Sequence, residues 1–250
     1  MFYCICGRRV KKNFAVLSQA ISVTATPQLR NMATIGGNLC QRPRCWYYRD
    51  EHTLCLKKGG DKCYSVAGEN QYHAILGGGP CHIVHPSDPA PALIALGASI
   101  VVTDGTKNRT IPAESFFVLP SVNLYSETVL KPGELVTHVL IPPPAAGVRT
   151  AYVKEGELDT HDWALCSAAV AVTVSGVVVK TARVVLGGVA QVPWRSKEAE
   201  AALIGKPATE ATFLAAAKLA LAKAVPMTHN AYKIPLAETV LTRALKKAIG

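Results

Sequence analysis

The sequence predicts an α+β protein in two parts, and three observations predict it. A triple proline, Pro142-Pro143-Pro144, puts a rigid extended step near the middle of the chain. Before it lie a helical segment, a hairpin pattern and a long irregular loop. After it, β-rich runs precede two helical patterns, the order expected of an α+β unit of about 100 residues. The expected division is residues 1–144 and residues 149–250.

Residues 13–25 have apolar positions at helical spacing and predict a short helix. Thr34-Ile35-Gly36-Gly37-Asn38 predicts a glycine-rich turn. Residues 40–80 show no sustained periodicity. A loop this long in a compact domain is usually functional or disordered, and a bound metal is expected to supply its order. His85-Pro86-Ser87-Asp88-Pro89 predicts a helix entry: Ser87 or Asp88 caps, Pro89 fits the first turn, and Gly97 closes. Residues 99–103 and 108–111 flank Asp104-Gly105 as a hairpin, and residues 134–141 form a further strand. Residues 164–174, 177–180 and 182–189 are three β-rich runs, expected to form an antiparallel meander. Residues 211–224 and 235–248 follow as helices, the first with Phe213 and Leu214 among alanines for close packing on the sheet.

Composition excludes several classes. The 250 residues are 49% hydrophobic with mean hydropathy +0.20, as in a globular protein with a sizeable core. The net charge of +10 allows an anionic cofactor, an acidic partner or nucleic acid. The basic residues are scattered and no nucleic-acid motif accompanies them, so nucleic acid is not expected. No apolar run is long enough for a membrane span, and the first residues do not form a secretory signal. The expected compartment is the cytoplasm, or the periplasm if a partner carries the folded chain out. Cytosolic thiols stay reduced, so the eight cysteines are not expected to form disulfides.

Cys45, Cys55, Cys63 and Cys81 are half of those cysteines, grouped within 37 residues. Their spacings of ten, eight and eighteen lack the tight pairs of ferredoxins and most zinc ribbons. A [4Fe–4S] cluster needs four ligands, normally thiolates, and Arg42, Arg44, Lys57, Lys58 and Lys62 suit an anionic centre. Zinc suits the same thiols, with His52, His73 or His82 able to replace one; four unrelated buried thiols are the plainer alternative. Cys40 and Cys166 read as packed residues, and Cys4 and Cys6 have no matching partners. The paired glycines let backbone N–H groups approach a pyrophosphate or flavin, with Thr34 and Asn38 offering hydrogen bonds at either end. Taken alone, that motif also suits a plain turn. Asp88 suits a helix cap or a cofactor hydroxyl, and Lys154 a surface position or a cofactor contact.

Gln28-Leu29-Arg30-Asn31-Met32-Ala33-Thr34-Ile35-Gly36-Gly37-Asn38 closely resembles the second FAD-binding motif of the flavoprotein subunits of molybdenum hydroxylases. That family includes xanthine dehydrogenase, carbon monoxide dehydrogenase and aldehyde oxidoreductase. His85-Pro86-Ser87-Asp88, Gly133-Glu134-Leu135-Val136 and Lys154 match its later motifs. Val185-Leu186-Gly187-Gly188-Val189-Ala190 and Pro193-Trp194-Arg195 resemble its C-terminal domain. The resemblance spans roughly residues 13–248. It implies the second subdomain of a two-subdomain FAD-binding fold, then an α+β domain with a three-stranded antiparallel sheet and helices. Thr34, Ile35, Gly36, Gly37, Asn38, Asp88, Val136 and Lys154 would contact FAD. Gln41-Arg42-Pro43-Arg44-Cys45 looks like the start of the inserted loop that carries an extra [4Fe–4S] cluster in one branch, with Cys45, Cys55, Cys63 and Cys81 as ligands in loop 40–81. The implied function is an oxidoreductase subunit that takes electrons from a small partner with two [2Fe–2S] clusters and passes them through FAD to an external acceptor. A molybdopterin-binding large subunit would hydroxylate an aldehyde or N-heterocycle. The rival from another class is a zinc-stabilised structural module. Family members also carry an earlier FAD subdomain with an Ala-Gly-Gly-Thr-like loop. No such segment is read here, so this chain alone is expected to bind FAD weakly or not at all.

Overall fold

A computed structural model describes residues 8–158 and 162–250; Cys4 and Cys6 lie outside the described residues. The first half opens with helices α1 (Arg8–Asn13), α2 (Ala15–Ser22), α3 (Pro27–Met32), α4 (Ile35–Leu39) and α5 (Trp46–Arg49). Helix α6 (Pro89–Ala95) follows the cysteine segment. Strands β1 (Ser99–Thr103), β2 (Asn108–Pro112) and β3 (Leu135–Leu140) form an antiparallel sheet in the order β2-β1-β3. The β1–β2 turn is closed by Asp104, whose Oδ1 accepts from the N–H groups of Thr106 and Lys107 at 2.8 Å, while Gly105 takes φ +95°.

The second half contains β4 (Arg149–Glu155), β5 (Cys166–Ser175), β6 (Val178–Gly187) and β7 (Trp194–Arg195), antiparallel in sequence order. Helices α7 (Lys197–Leu203), α8 (Glu210–Ala220) and α9 (Lys233–Ile249) follow. The runs 177–180 and 182–189 join into the single strand β6, because Thr181 pairs with Thr173 and its hydroxyl meets the Thr173 hydroxyl at 2.7 Å. Polar Thr181 marks an exposed strand position, not a break. The third main strand is β4, and the two-residue β7 extends the sheet. Helix α7 was not predicted; Ser196 caps it by accepting from Ala199 N–H at 3.2 Å.

Alternation along β5 buries both faces of this sheet. Cys166, Ala168, Val170 and Val172 pack with Leu186, Leu203, Phe213, Leu241 and Leu245, so one face is covered by α7, α8 and α9. Ala169 and Ala171 pack with Val185, Tyr152, Val16, Leu17 and Leu93, so the other is covered by α2 and α6. The helices of the first half thus share a core with the sheet of the second, across the triple proline.

The cysteine segment is largely irregular. Beyond α5 it has only two 3-10 turns, Leu56–Lys58 and Tyr64–Val66. Buried side chains within it and from elsewhere in the chain hold it at several points. Fully buried Asn70 donates to the carbonyls of Ser65 and Gly68 at 3.0 and 3.1 Å and accepts from His229 N–H at 2.8 Å. Asn230 donates to His73 O at 3.1 Å. Buried Gln191 donates to Gly78 O and Cys81 O at 2.6 and 3.1 Å. Lys233, fully buried, donates to the carbonyls of Tyr72, His73 and Gly188 at 3.2, 3.2 and 2.7 Å. Such groups are stable inside a protein because each is hydrogen-bonded.

Candidate functional site

The paired glycines lie within a one-turn helix, not in a plain turn. Thr34 is its N-cap: Oγ1 accepts from Gly37 N–H at 3.0 Å, and the Thr34 carbonyl accepts from Asn38 N–H at 3.0 Å. The cap therefore occupies two of the donors expected to face a ligand, and the N–H groups of Ile35 and Gly36 open the helix. The glycines have separate tasks. A Cβ on Gly36 would stand 3.3 Å from Val136 Cβ, so Gly36 lets α4 lie against β3. A Cβ on exposed Gly37 would meet only Thr34 Oγ1, at 3.1 Å, leaving its outer side open to a ligand. Asn38 turns inward, and its Oδ1 accepts from Ser87 Oγ at 2.6 Å. This bond fastens α4 to the entry of α6, where Ser87 also caps by accepting from Ala90 N–H at 3.2 Å.

Asp88 is not the helix cap. Its carboxylate is 5% exposed; it accepts from Tyr152 Oη at 2.9 Å and forms an ion pair with Lys154 Nζ at 2.9 Å. Burial raises the carboxyl pKa, against the opposing pull of Lys154 and Tyr152. Lys154 also donates to Asp162 O at 2.7 Å. The structure thus brings Asp88 and Lys154, separated by 66 residues, into one buried pair, while Val136 stands against Gly36. Tyr152 was missed. Its signal was available: residues i and i+2 of a strand share a face, so Tyr152 and Lys154 belong together on β4.

Cys45, Cys55, Cys63 and Cys81 all line one small cavity, together with Lys57, Tyr64, Ser65, His73 and Ile83. The neighbouring Cys63 and Cys81 thiols act on one another, which lowers the Cys63 pKa and raises that of Cys81. Ser65 Oγ lies 3.1 Å from Cys63 Sγ, and His73 Nε2 lies 3.2 Å from Cys45 Sγ. Among the described residues no three His, Cys, Asp or Glu side chains already converge on a metal position. The sulfurs therefore share a cavity without forming a closed ligand set. Four soft donors around one cavity fit an iron–sulfur centre or zinc by chemistry, and a centre would have to draw them inward. Beside them, Lys57 is buried against Glu127 at 2.6 Å, and Arg42 reaches the same carboxylate at 3.0 Å. Cys40 and Cys166 pack in the two apolar cores, with burial raising their thiols to about 11 and about 12.

A second cavity, of about 280 Å³, adjoins the thiols and shares Cys45, His73 and Ile83 with them. Asp88, Ser87 and His85 line its floor. Trp46, Tyr72 and Trp163 surround it, with Arg44 stacked 4.5 Å from the Trp163 ring centre. An apolar, aromatic hollow with a few placed polar groups is suited to a flat organic cofactor. Burial lowers His85 to about 4 and His73 to about 4, so both rings stay neutral at pH 7. Among the described residues no helix is long and apolar enough to cross a membrane.

Residues 3–144 match the family described as the FAD binding domain in molybdopterin dehydrogenase. Residues 151–248 match the CO dehydrogenase flavoprotein C-terminal domain. The chain is 37% identical over 244 residues to the aldehyde oxidoreductase FAD-binding subunit PaoB of Escherichia coli (strain K12), covering 96% of this chain and 73% of that protein. It is 28% identical to the carbon monoxide dehydrogenase medium chain of Hydrogenophaga pseudoflava, covering 96% of this chain and 68% of that one. The fold superposes on the solved carbon monoxide dehydrogenase of Hydrogenophaga pseudoflava with a TM-score of 0.72 at 29% identity, over 98% of this chain and 70% of that one. The chain therefore belongs to the FAD-binding medium subunits of the molybdenum hydroxylases, oxidoreductase subunits of the carbon monoxide dehydrogenase and aldehyde oxidoreductase type.

Proposed function

We propose that this chain holds FAD and one [4Fe–4S] cluster, and relays electrons from a small partner bearing two [2Fe–2S] clusters to an external acceptor. A molybdopterin-binding large partner would oxidise the substrate, an aldehyde or N-heterocycle. One relative that this chain resembles is named as the FAD-binding subunit of an aldehyde oxidoreductase in Escherichia coli. FAD, when bound, converts between paired and single electrons. The chain's own residues position it. The N–H groups at the start of α4 and the open side of Gly37 would face its phosphate and ribityl region, with Thr34, Ile35 and Asn38 holding that turn in shape. Asp88 and Lys154 would meet its hydroxyl and ring polar atoms, and Val136 would back Gly36. No residue here is assigned a general-base role.

The observation that carries the cluster is the gathering of Cys45, Cys55, Cys63 and Cys81 around one cavity. Its test is iron and zinc analysis of the anaerobically purified complex. About four irons per copy of this chain are expected beyond those of the partner, as the cluster type requires. Cys55→Ser and Cys63→Ser should each lose that iron. Full retention in both, or zinc in its place, rejects the assignment. For the flavin, Gly37→Val should strongly reduce bound FAD while the second-half core stays folded; unchanged flavin content rejects the placement.

A further inference from the structure

We propose that His73 is the hydrogen-bond partner of Cys45, donating from Nε2–H to its sulfur and thereby raising the reduction potential of the centre the four thiols hold. This rests on the cluster reading above and goes beyond it, because it assigns a tuning residue outside the ligand set. Three observations carry it.

The first is distance: Nε2 stands 3.2 Å from Cys45 Sγ, within reach of an N–H···S bond. A thiolate ligand is an acceptor only, so the proton in this contact belongs to nitrogen. The second is fixation. His73 is 6% exposed, and its backbone is held from three directions. Its N–H donates to Asn70 O at 3.0 Å, and its carbonyl accepts from Asn230 Nδ2 at 3.1 Å and Lys233 Nζ at 3.2 Å. Asn70, Asn230 and Lys233 are themselves fully buried. Two of these anchors come from the α9 entry, so the second half of the chain fixes the backbone from which the ring projects. The third is location: His73 lines both the thiol cavity and the adjoining aromatic cavity, as part of the wall between them. Hydrogen bonds to cluster sulfurs stabilise the more negative, reduced form and move the potential upward. Ser65 at Cys63 offers a second such contact, but on a short side chain next to its own target.

The test uses the anaerobically purified complex as wild type, His73→Leu and His73→Gln, read by iron content and by EPR-monitored redox titration. Gln can place an amide N–H near the position of Nε2. All three forms should keep the iron. The midpoint potential should shift negative in His73→Leu and return toward wild type in His73→Gln. Pulsed EPR of wild type carrying 15N-histidine provides a readout independent of variant folding, and should show a weak coupling that is absent in His73→Gln. An unchanged potential in His73→Leu, or no coupling, overturns the assignment while leaving the cluster reading intact. A strong coupling with iron loss in both variants makes His73 a ligand and also overturns it. Wild type without extra iron removes the cluster reading, and this assignment with it.

Discussion

The cysteine segment and the sheet–helix core of the second half are held together by opposite means. In the core, Leu203, Leu241, Leu245, Val170 and Val172 are fully buried, and apolar contact provides the stability. In the cysteine segment, Lys57, Asn70 and the helix-entry residues Asn230 and Lys233 are buried, and they act by satisfying carbonyl groups of an irregular chain. The core tolerates imprecise direction, because dispersion and burial are non-directional. The segment depends on a few directional bonds, each costly to leave unmade. That difference suits the role proposed for the region, in which side chains would meet a ligand at set positions.

The sharpest way to break this comparison is to damage each region on its own terms. Leu241→Ala, at a fully buried site, should cost about 4 kcal/mol of global stability through lost transfer energy and a cavity. Urea unfolding should show the midpoint fall. Lys57→Met should cost about 3 kcal/mol, because Glu127 is left buried with only half-exposed Arg42 beside it. Its signature should be local: faster proteolysis within residues 40–80, with the second-half core still protected from hydrogen exchange. Equal loss of protection in both regions would show that they are one cooperative unit.

How legible each region was in the sequence follows the same division. Helices α2, α8 and α9 and strands β1, β2 and β3 were readable because apolar residues recur with a period. The last helix was read from Pro235, two residues past Lys233, and nothing in the sequence marks that lysine as buried. Asn70 and Gln191 were equally silent: a single polar residue carries no periodic mark of burial. The cysteine grouping was visible, but the ordering of the segment by protein contacts was not.

A smaller effect sharpens the comparison at the boundary. His85 is buried between the segment and α6, and its folded pKa is lowered to about 4 from the usual 6.5. Folding thus favours the neutral ring. This contribution is fully present above pH 6.5 and is lost as pH falls toward 4, where the folded form also takes a proton. By pH 5 the loss should be about 2 kcal/mol. Comparing urea midpoints of wild type and His85→Gln from pH 7.5 to 5 isolates it, and parallel curves would remove His85 as the cause.

The sequence by itself determined the α+β class, the hairpin, the long helices, the family motifs and the grouping of four thiols. All are local patterns, written in spacing or in consecutive residues. Only the tertiary structure decided that Asp88 pairs with Lys154, that Asn38 turns inward to Ser87, and that both faces of the second sheet are buried under helices from both halves. It also decided that His73 reaches Cys45, and that α9 supplies the lysine that anchors the segment. These are contacts between residues far apart in the chain. Their partners are chosen by packing geometry and by the cost of leaving buried polar groups without hydrogen bonds, and neither leaves a periodic trace in the sequence.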